Sequence, residues 1–248
     1  MERLLGTAIA GDAHVSLNFK ASELIAEAGP VAAAISDALE GGGPGVIVQW
    51  RVAQALKPTG LGDELLNALV DPDPKVRVGA ARLCGALRMT DSLPWLGDML
   101  DDPKPRVREA AVRALGQLGG RRAVDALMSA SGKLSQHRLA IELAHAASDM
   151  DVEALMREPA SVQAAVVTVL ACGLRHDRLR VTPLSAIAHD RRWPARVRAA
   201  ACRALAMIGD PATADGLGGL TGDPDAGVRL AAAKAQRRFK PSRGPAVT

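Results

Sequence analysis

The sequence contains almost no aromatic residues: of its 248 residues, three are Trp, two are Phe and none is Tyr. Hydrophobic residues nevertheless make up 48% of the chain, which is too apolar for an intrinsically disordered protein. The core must therefore be built mainly from Ala, Leu and Val. Small aliphatic side chains favour closely packed helices over a β-sandwich, whose strands prefer aromatic and β-branched residues.

Long apolar segments are also lacking, because no stretch approaches the roughly 20 residues that a helix needs to cross a bilayer. We therefore expect no membrane insertion. The cysteines are three in number and far apart, at Cys84, Cys172 and Cys202. This usage predicts reduced thiols in the core of a cytoplasmic protein.

Motifs that carry known catalytic chemistry are missing. The sequence has no HExxH, GxSxG, P-loop or dinucleotide-binding pattern, and its Cys and His residues lack metal-ligand spacing. We therefore predict that the protein is not an enzyme and needs no metal or cofactor.

The net charge of +4 raises the question of nucleic-acid binding. Five of the 31 basic residues fall in residues 234–248, which contain no acidic residue. The other 233 residues therefore hold 26 basic and 27 acidic side chains. Phosphate contacts require a sustained Lys and Arg surface, so this distribution disfavours a nucleic-acid partner.

A Val-Arg pair recurs along the chain and sets its organisation. The four clear pairs begin at Val76, Val107, Val197 and Val228. The outer pairs are each 31 residues apart, and the middle gap of 90 residues is close to three periods. Degenerate copies are placed at Val48-Gln49, His137-Arg138 and Val162-Gln163. A fixed period of this length through most of a chain indicates a solenoid.

Each copy predicts two helices. In the copy "DPKPRVREAAVRALGQLG", which begins at Asp102, apolar residues from Val107 to Leu118 recur with the spacing of one helix face. The Asp-Pro pair before it suits a turn and a helix start. Gly119-Gly120 ends the helix, and a second, shorter apolar stripe follows.

This pattern of Asp-Pro, Val-Arg and an Ala-rich helix resembles the HEAT repeat, and in particular the short bacterial type also found in phycocyanobilin-lyase-type proteins. The resemblance is clear for residues 71–101, 102–131 and 190–221, partial for 222–240, and weak for 44–70 and 132–189. It implies an all-α fold, a right-handed α-solenoid of about six to seven antiparallel helical pairs. We divide the chain into a divergent helical cap (1–43), a HEAT array (44–240) and a disordered tail (241–248).

The repeated Arg has two interpretations. It can form a structural ladder, pairing with the Asp of the turn before it and donating hydrogen bonds to turn carbonyls, which would fix each repeat on the next. Alternatively, the row of arginines binds a ligand. The residues assigned to this ladder are Asp71, Arg77, Asp102, Arg108, Arg138, Arg198, Asp223 and Arg229.

Departures from the repeat supply candidate partner-binding residues. Arg191-Arg192-Trp193 replaces the usual Asp-Pro turn, and Trp and Arg are the residue types that dominate binding hot spots. The alternative is that Trp193 covers the seam between repeats, shielded by arginine stems. Arg121 and Arg122 are weaker candidates, on a different turn from Trp193.

Trp95 and Asp98 lie three residues apart on a predicted second helix, off its apolar stripe. Second helices line the concave face in HEAT-like arrays, so the resemblance places both residues where a partner would bind. The alternative is that Trp95 packs into the adjacent repeat. His137 and His145, eight apart on one predicted helix, are interpreted as interior histidines, with a catalytic or metal-binding pair as the alternative.

The function that these observations favour is a non-enzymatic scaffold or adaptor, a monomer that binds a protein partner on its concave surface. One alternative is a lyase or chaperone of the phycobilin-lyase type. Another is a HEAT-like nucleic-acid-binding protein.

Overall fold

The computed structural model describes residues 25–26 and 61–239. In this part of the chain the regular structure consists of α-helices and short 3-10 turns, without a β-strand. The twelve α-helices of residues 61–239 are α1 (Leu61–Ala68), α2 (Pro74–Ala86), α3 (Leu93–Asp98), α4 (Pro105–Leu118), α5 (Gly120–Ser129), α6 (Gln136–Ala146), α7 (Asp149–Arg157), α8 (Val162–Leu174), α9 (Val181–His189), α10 (Ala195–Ile208), α11 (Ala214–Gly219) and α12 (Ala226–Arg237). The predicted all-α class is confirmed. None of the described helices is long and apolar enough to span a membrane.

The contacts divide the chain into two compact units, Met1–Leu127 and Met128–Thr248. In the first unit, α2 packs against α4. In the second, α6, α8, α10 and α12 pack one against the next, and α9 packs against α10. First helices thus stack on first helices, as repeats of a solenoid do. Apart from residues 25–26, the predicted cap, the copy at Val48-Gln49 and the tail lie outside the described residues.

The core of the described residues is built from small aliphatic side chains, as the composition predicts. Helices throughout both units contribute a fully buried leucine, among them Leu65, Leu96, Leu115, Leu184 and Leu217, each at most 1% exposed. Many of the other buried residues of the first helices are alanines, among them Ala80, Ala111 and Ala200. This packing needs no aromatic side chain.

An aspartate side chain caps the N-terminus of two first helices, α2 and α12. The side chain of Asp73 accepts a hydrogen bond from the amide of Lys75 at the start of α2, where Pro74 is the first helical residue. Asp225 accepts from the amides of Gly227 and Val228 at the start of α12. These contacts satisfy amides that a helix leaves open at its N-terminus.

Two glycines mark where first helices come closest. A Cβ added at Gly85 in α2 would lie 2.7 Å from the Cα of Ala114, and one added at Gly173 in α8 would lie 2.6 Å from the Cα of Ala204. Real Cβ atoms do not approach backbone so closely. Glycine is therefore the residue that permits this helix spacing at both positions.

These glycines also correct the register of the weak copies. Gly85 lies nine residues after Val76, the valine of its Val-Arg pair. The residue nine positions before Gly173 is Ala164, so the placement of this copy at Val162-Gln163 is wrong by two residues. Val162 is 38% exposed, whereas Ala164 is buried. In α6 the buried positions begin at Leu139 and repeat the spacing of α4, which shifts that copy by two residues as well.

Candidate functional site

An arginine near the start of three first helices holds the turn that precedes it. In each case Nη1 donates to two successive backbone carbonyls of the turn. The acceptors and distances are Asp71 (2.7 Å) and Pro72 (3.1 Å) for Arg77, Asp102 (2.7 Å) and Pro103 (3.2 Å) for Arg108, and Asp223 (2.7 Å) and Pro224 (2.9 Å) for Arg229. Charge-assisted hydrogen bonds of this kind are among the stronger ones in proteins.

The ion pairs join different residues from those predicted. Arg77 pairs with Asp102, in the turn of the next repeat, at 2.9 Å, instead of with the carboxylate of Asp71. The reason is local, because Oδ1 of Asp71 accepts a hydrogen bond from the amide of Asp73 at 2.7 Å and so turns toward its own turn. Nη1 of Arg77 is already bonded to the two carbonyls of its own turn. Its Nε and Nη2 face the next repeat and donate to Asp102.

Arg198 and Asp223 form the more deeply buried pair of the same kind. Their side chains are 6% and 4% exposed, and Nη1 of Arg198 lies 2.5 Å from Oδ2 of Asp223. The hydrogen bonds from Arg198 hold the pKa of Asp223 below its usual range, and the same bonds raise the pKa of Arg198. We call these two pairs, Arg77–Asp102 and Arg198–Asp223, the ladder pairs.

Arg138 is not a ladder residue, which corrects the sequence prediction. Its Nε lies 3.8 Å from Oε1 of Glu142 on the same helix. Because the register of α6 is shifted by two residues, the position equivalent to Arg108 is Ala140, and Ala165 takes that position in α8. Both weak copies have therefore lost the arginine.

A second inter-repeat contact, which the sequence analysis did not identify, involves Arg175 and Arg180. Nη1 of Arg175 donates to the carbonyl of Ala147 at 2.5 Å, and its Nη2 pairs with the carboxylate of Asp149. Arg180 donates to the carbonyl of Asp149 at 3.2 Å. The sequence feature that could have indicated this contact is the cation-rich turn "RHDRLR" (175–180), which lies one repeat after Asp149.

A groove of about 330 Å³ opens beside the first ladder pair. Its lining residues come from the turn between α1 and α2, from α2, and from α3 and the turn that follows: Leu69, Val70, Asp71, Pro72, Arg77, Trp95, Asp98, Met99 and Asp102. Trp95 is half-buried, Asp98 is exposed and Val70 is 67% exposed. The two candidates on the second helix, Trp95 and Asp98, are therefore brought together with a ladder pair. We call this the Trp95 groove.

The second ladder pair has a different neighbourhood. Leu96 and Leu217 are both buried and both precede the ladder aspartate by six residues, so Gly216 occupies the position of Trp95. His189, which directly precedes Asp190 as Val70 precedes Asp71, lies over Gly216. Its Nε2 is 3.1 Å from the carbonyl of Gly216, and its Nδ1 is 2.8 Å from the carbonyl of Ser185. The equivalent position in the second unit is thus contacted by a side chain of the same chain, although both His189 and Gly216 are exposed.

A family model describing HEAT repeats matches residues 62–147 and 152–237, which is more than half of the chain. The chain belongs to the HEAT-repeat family. The helical pairs and the stacked first helices described above are those of HEAT repeats, and the predicted HEAT-like solenoid class is confirmed.

The solved structures that match this HEAT protein share little sequence with it. Human deoxyhypusine hydroxylase in complex with glycerol is 20% identical, with a TM-score of 0.37 and 96% of each chain covered. The complex of CpcE and CpcF of phycocyanin lyase from Nostoc sp. PCC7120 gives 19% identity and a TM-score of 0.38, covering 80% of this chain and 83% of that one. A designed armadillo repeat protein is 15% identical, with a TM-score of 0.41, and the match covers 96% of this chain and 99% of that one. No curated protein gives a significant match to the sequence.

Trp193 lies against the seam between neighbouring HEAT repeats. It is half-buried and borders an almost filled gap of about 10 Å³, together with residues of α7, α8, α9 and α10, including Met156, Ile187 and Val197. Its neighbours Arg191 and Arg192 are exposed, and Arg192 pairs with Asp190 at 2.8 Å. Of the two interpretations of Trp193, this placement favours the cover over the seam.

We expect replacing Trp193 with alanine to lower the free energy of unfolding by about 2 kcal/mol, because a half-buried indole loses part of the packing that a fully buried one provides. Thermal denaturation followed by circular dichroism measures the effect. The matched control is Arg192→Ala, which removes an exposed ion pair and should leave the midpoint unchanged. Equal midpoints for both variants would contradict this role of Trp193.

The remaining candidates lie apart from the Trp95 groove. Arg121 and Arg122 are exposed at the start of α5, and Arg121 pairs with Asp125 at 2.9 Å. His137 and His145 are exposed on α6, so their interpretation as interior histidines is wrong. The reason is again the two-residue shift, which puts Leu139 and its partners on the buried face.

The cysteines are buried free thiols in the structure. Burial raises the pKa of Cys84 to about 12 and those of Cys172 and Cys202 to about 11. The thiols are therefore protonated at neutral pH, a form that neither attacks nor ligates well. The described residues contain no group of three or more potential metal ligands.

Proposed function

We propose that this HEAT protein is a non-catalytic interaction module that binds a protein partner through its second helices, which form the concave face in HEAT arrays. The Trp95 groove is the part of that surface to which we assign binding. The observation that carries the proposal is the half-buried indole of Trp95 beside the exposed carboxylate of Asp98, at an opening of about 330 Å³. The proposal includes the sequence-based expectation of a cytoplasmic monomer that needs no cofactor.

Trp95 suits an anchor for a partner. An indole that is partly covered by its own chain has a fixed orientation and loses little entropy on binding, and Trp is enriched among the residues that dominate interfaces. Arg77 and Asp102, which line the same groove, are largely buried and pair with each other. These two side chains are therefore already held in place before a partner arrives, which reduces the entropy cost of association.

The charge of the groove favours a protein over a nucleic acid. Three carboxylates line it, those of Asp71, Asp98 and Asp102, against the single guanidinium of Arg77. That guanidinium is paired with Asp102 and bonded to two carbonyls. A phosphate placed here would meet net negative charge, whereas nucleic-acid sites neutralise phosphates with Lys and Arg.

We expect Trp95→Ala to abolish recovery of the partner in affinity capture from the native host with the full chain as bait, because the variant removes the anchor and leaves the ladder pair intact. Quantitative mass spectrometry of the captured proteins measures the loss. Trp193→Ala is the matched control, since it removes a half-buried indole from the other unit. A thermal midpoint for Trp95→Ala within a few degrees of wild type shows that the variant is folded.

Recovery of the same proteins at the same yield by wild type and by both tryptophan variants would rule out the Trp95 groove as the binding surface. Loss of the partner from Trp193→Ala alone would move the binding surface to the second unit.

A further inference from the structure

We infer that the Trp95 groove takes a lysine or arginine side chain of the partner. The inference rests on the proposed function and adds the chemistry of the occupant. The juxtaposition that carries it is a partly open indole, a carboxylate without a partner among the described residues, and an exposed aliphatic side chain around one groove.

The three carboxylates of the groove differ in whether they have hydrogen-bond or ion-pair partners. Asp102 is paired with Arg77, and Oδ1 of Asp71 is bonded to the amide of Asp73. Asp98 is exposed and has no hydrogen-bond or ion-pair partner among the described residues. The net charge of the lining side chains is negative by two. One lysine or arginine side chain in the groove would halve this negative charge and give Asp98 a partner.

The apolar residues of the groove fit the rest of such a side chain. The face of an indole attracts a nearby ammonium or guanidinium group. Val70 is 67% exposed and stands at the same opening, where it can pack against the methylene stem of a lysine or arginine. The opening of about 330 Å³ lies at the small end of ligand sites, which suits one or two side chains and not a large cofactor.

The second unit shows what the equivalent surface accepts. There the two ring nitrogens of His189 lie within hydrogen-bond distance of two backbone carbonyls, those of Ser185 and Gly216. In the first unit the position of His189 is taken by Val70, which cannot form such a bond, and the position of Gly216 is taken by Trp95. The second unit thus places a polar side chain of its own at this position, whereas the first unit places the apolar Val70 there.

Selection of 12-residue peptides displayed on phage, with the folded full chain as target, tests the inference. We expect the selected peptides to share a lysine or arginine and to bind more weakly as salt is raised from 50 to 500 mM, because salt screens exposed charge pairs. Replacing the shared basic residue with glutamine should weaken binding by about tenfold or more, measured by isothermal titration calorimetry. The charge reversal Asp98→Lys should do the same.

Asp215→Lys is the matched control, because Asp215 is an exposed aspartate on α11, the second helix of the other unit, and should leave peptide affinity unchanged. Three outcomes overturn the inference: selected peptides without a basic residue, an affinity that Asp98→Lys does not change, or a self-association of the chain that Asp98→Lys abolishes.

The two proposals fail separately. If Trp95→Ala loses the native partner but Asp98→Lys keeps it, the groove is the binding surface and the occupant is not a cation. If both variants keep the partner, the groove itself is excluded.

Discussion

Replacing Asp223 with alanine is expected to lower the free energy of unfolding by about 3 kcal/mol, because it leaves the guanidinium of Arg198 buried without a counter-charge. Both side chains of this ladder pair are almost inaccessible to solvent, and Nε of Arg198 already makes no hydrogen bond within the described residues. For a chain of this size the loss corresponds to a fall of roughly 6–12 °C in the thermal midpoint. Differential scanning calorimetry measures it.

A double-mutant cycle separates the pair from its surroundings. Arg198→Met alone should also destabilise, and the variant with both changes should lose less than the sum of the two single changes. Asp102→Ala is the comparison from the first unit, where the pair is more exposed, at 14% and 9%, and the loss should be smaller. Strict additivity of the two single changes would show that Asp223 stabilises its own turn and not Arg198.

The same pair predicts the direction of a pH effect. Arg198 lowers the pKa of folded Asp223 below that of the unfolded chain, which is near 3.9 for an aspartate. The contribution of the charged carboxylate is therefore complete above about pH 5 and is lost as the pH falls below about 4 toward the folded pKa. Asp223→Asn, which cannot titrate, should show a shallower loss of stability than wild type between pH 5 and pH 3.

Gly173→Ala should lower the free energy of unfolding by about 2 kcal/mol, although alanine is normally the better helix former. The added Cβ would lie 2.6 Å from the Cα of Ala204 and 3.0 Å from its Cβ. Because the obstacle is backbone, rotation of a side chain cannot relieve it, and α8 and α10 must move apart. The midpoint of urea denaturation measures the loss.

Gly219→Ala is the control for this substitution. Gly219 ends α11 in right-handed helical geometry, with φ −59° and ψ −30°, and an added Cβ would meet no atom within 4 Å. We expect unchanged or slightly raised stability, since alanine restricts the unfolded chain more than glycine does. If both glycine variants behave alike, close helix contact at Gly173 does not determine stability.

The fold could be predicted from the sequence because its determinants are local and repeated. The Val-Arg spacing, the Asp-Pro turns and the apolar stripes each recur, so each copy tests the others. In α6 and α8 the Asp-Pro turn and the Val-Arg pair are both missing. Only the packing of Gly173 against Ala204 and the burial of Leu139 reveal the register there, and both depend on neighbouring repeats.

The candidate site was partly predictable for the same reason. Trp95 and Asp98 stood out because they depart from the repeat on a second helix. Their proximity to Arg77 and Asp102 depends on how one turn folds back against the next, which the spacing does not show. Likewise the contact between His189 and Gly216 joins residues 27 positions apart, and neither residue carries a pattern that points to the other.

Each ladder turn bonds to two arginines, one that precedes it and one that follows it, and this affects how repeats can be added to the chain. The carbonyls of Asp102 and Pro103 accept from Arg108, which follows them, while the carboxylate of Asp102 accepts from Arg77, which precedes it. A segment cut from one Asp-Pro turn to the next therefore carries an acceptor for its predecessor and a donor for its successor. Tandem duplication of that segment would supply both partners of a ladder pair at the new junction without any further mutation.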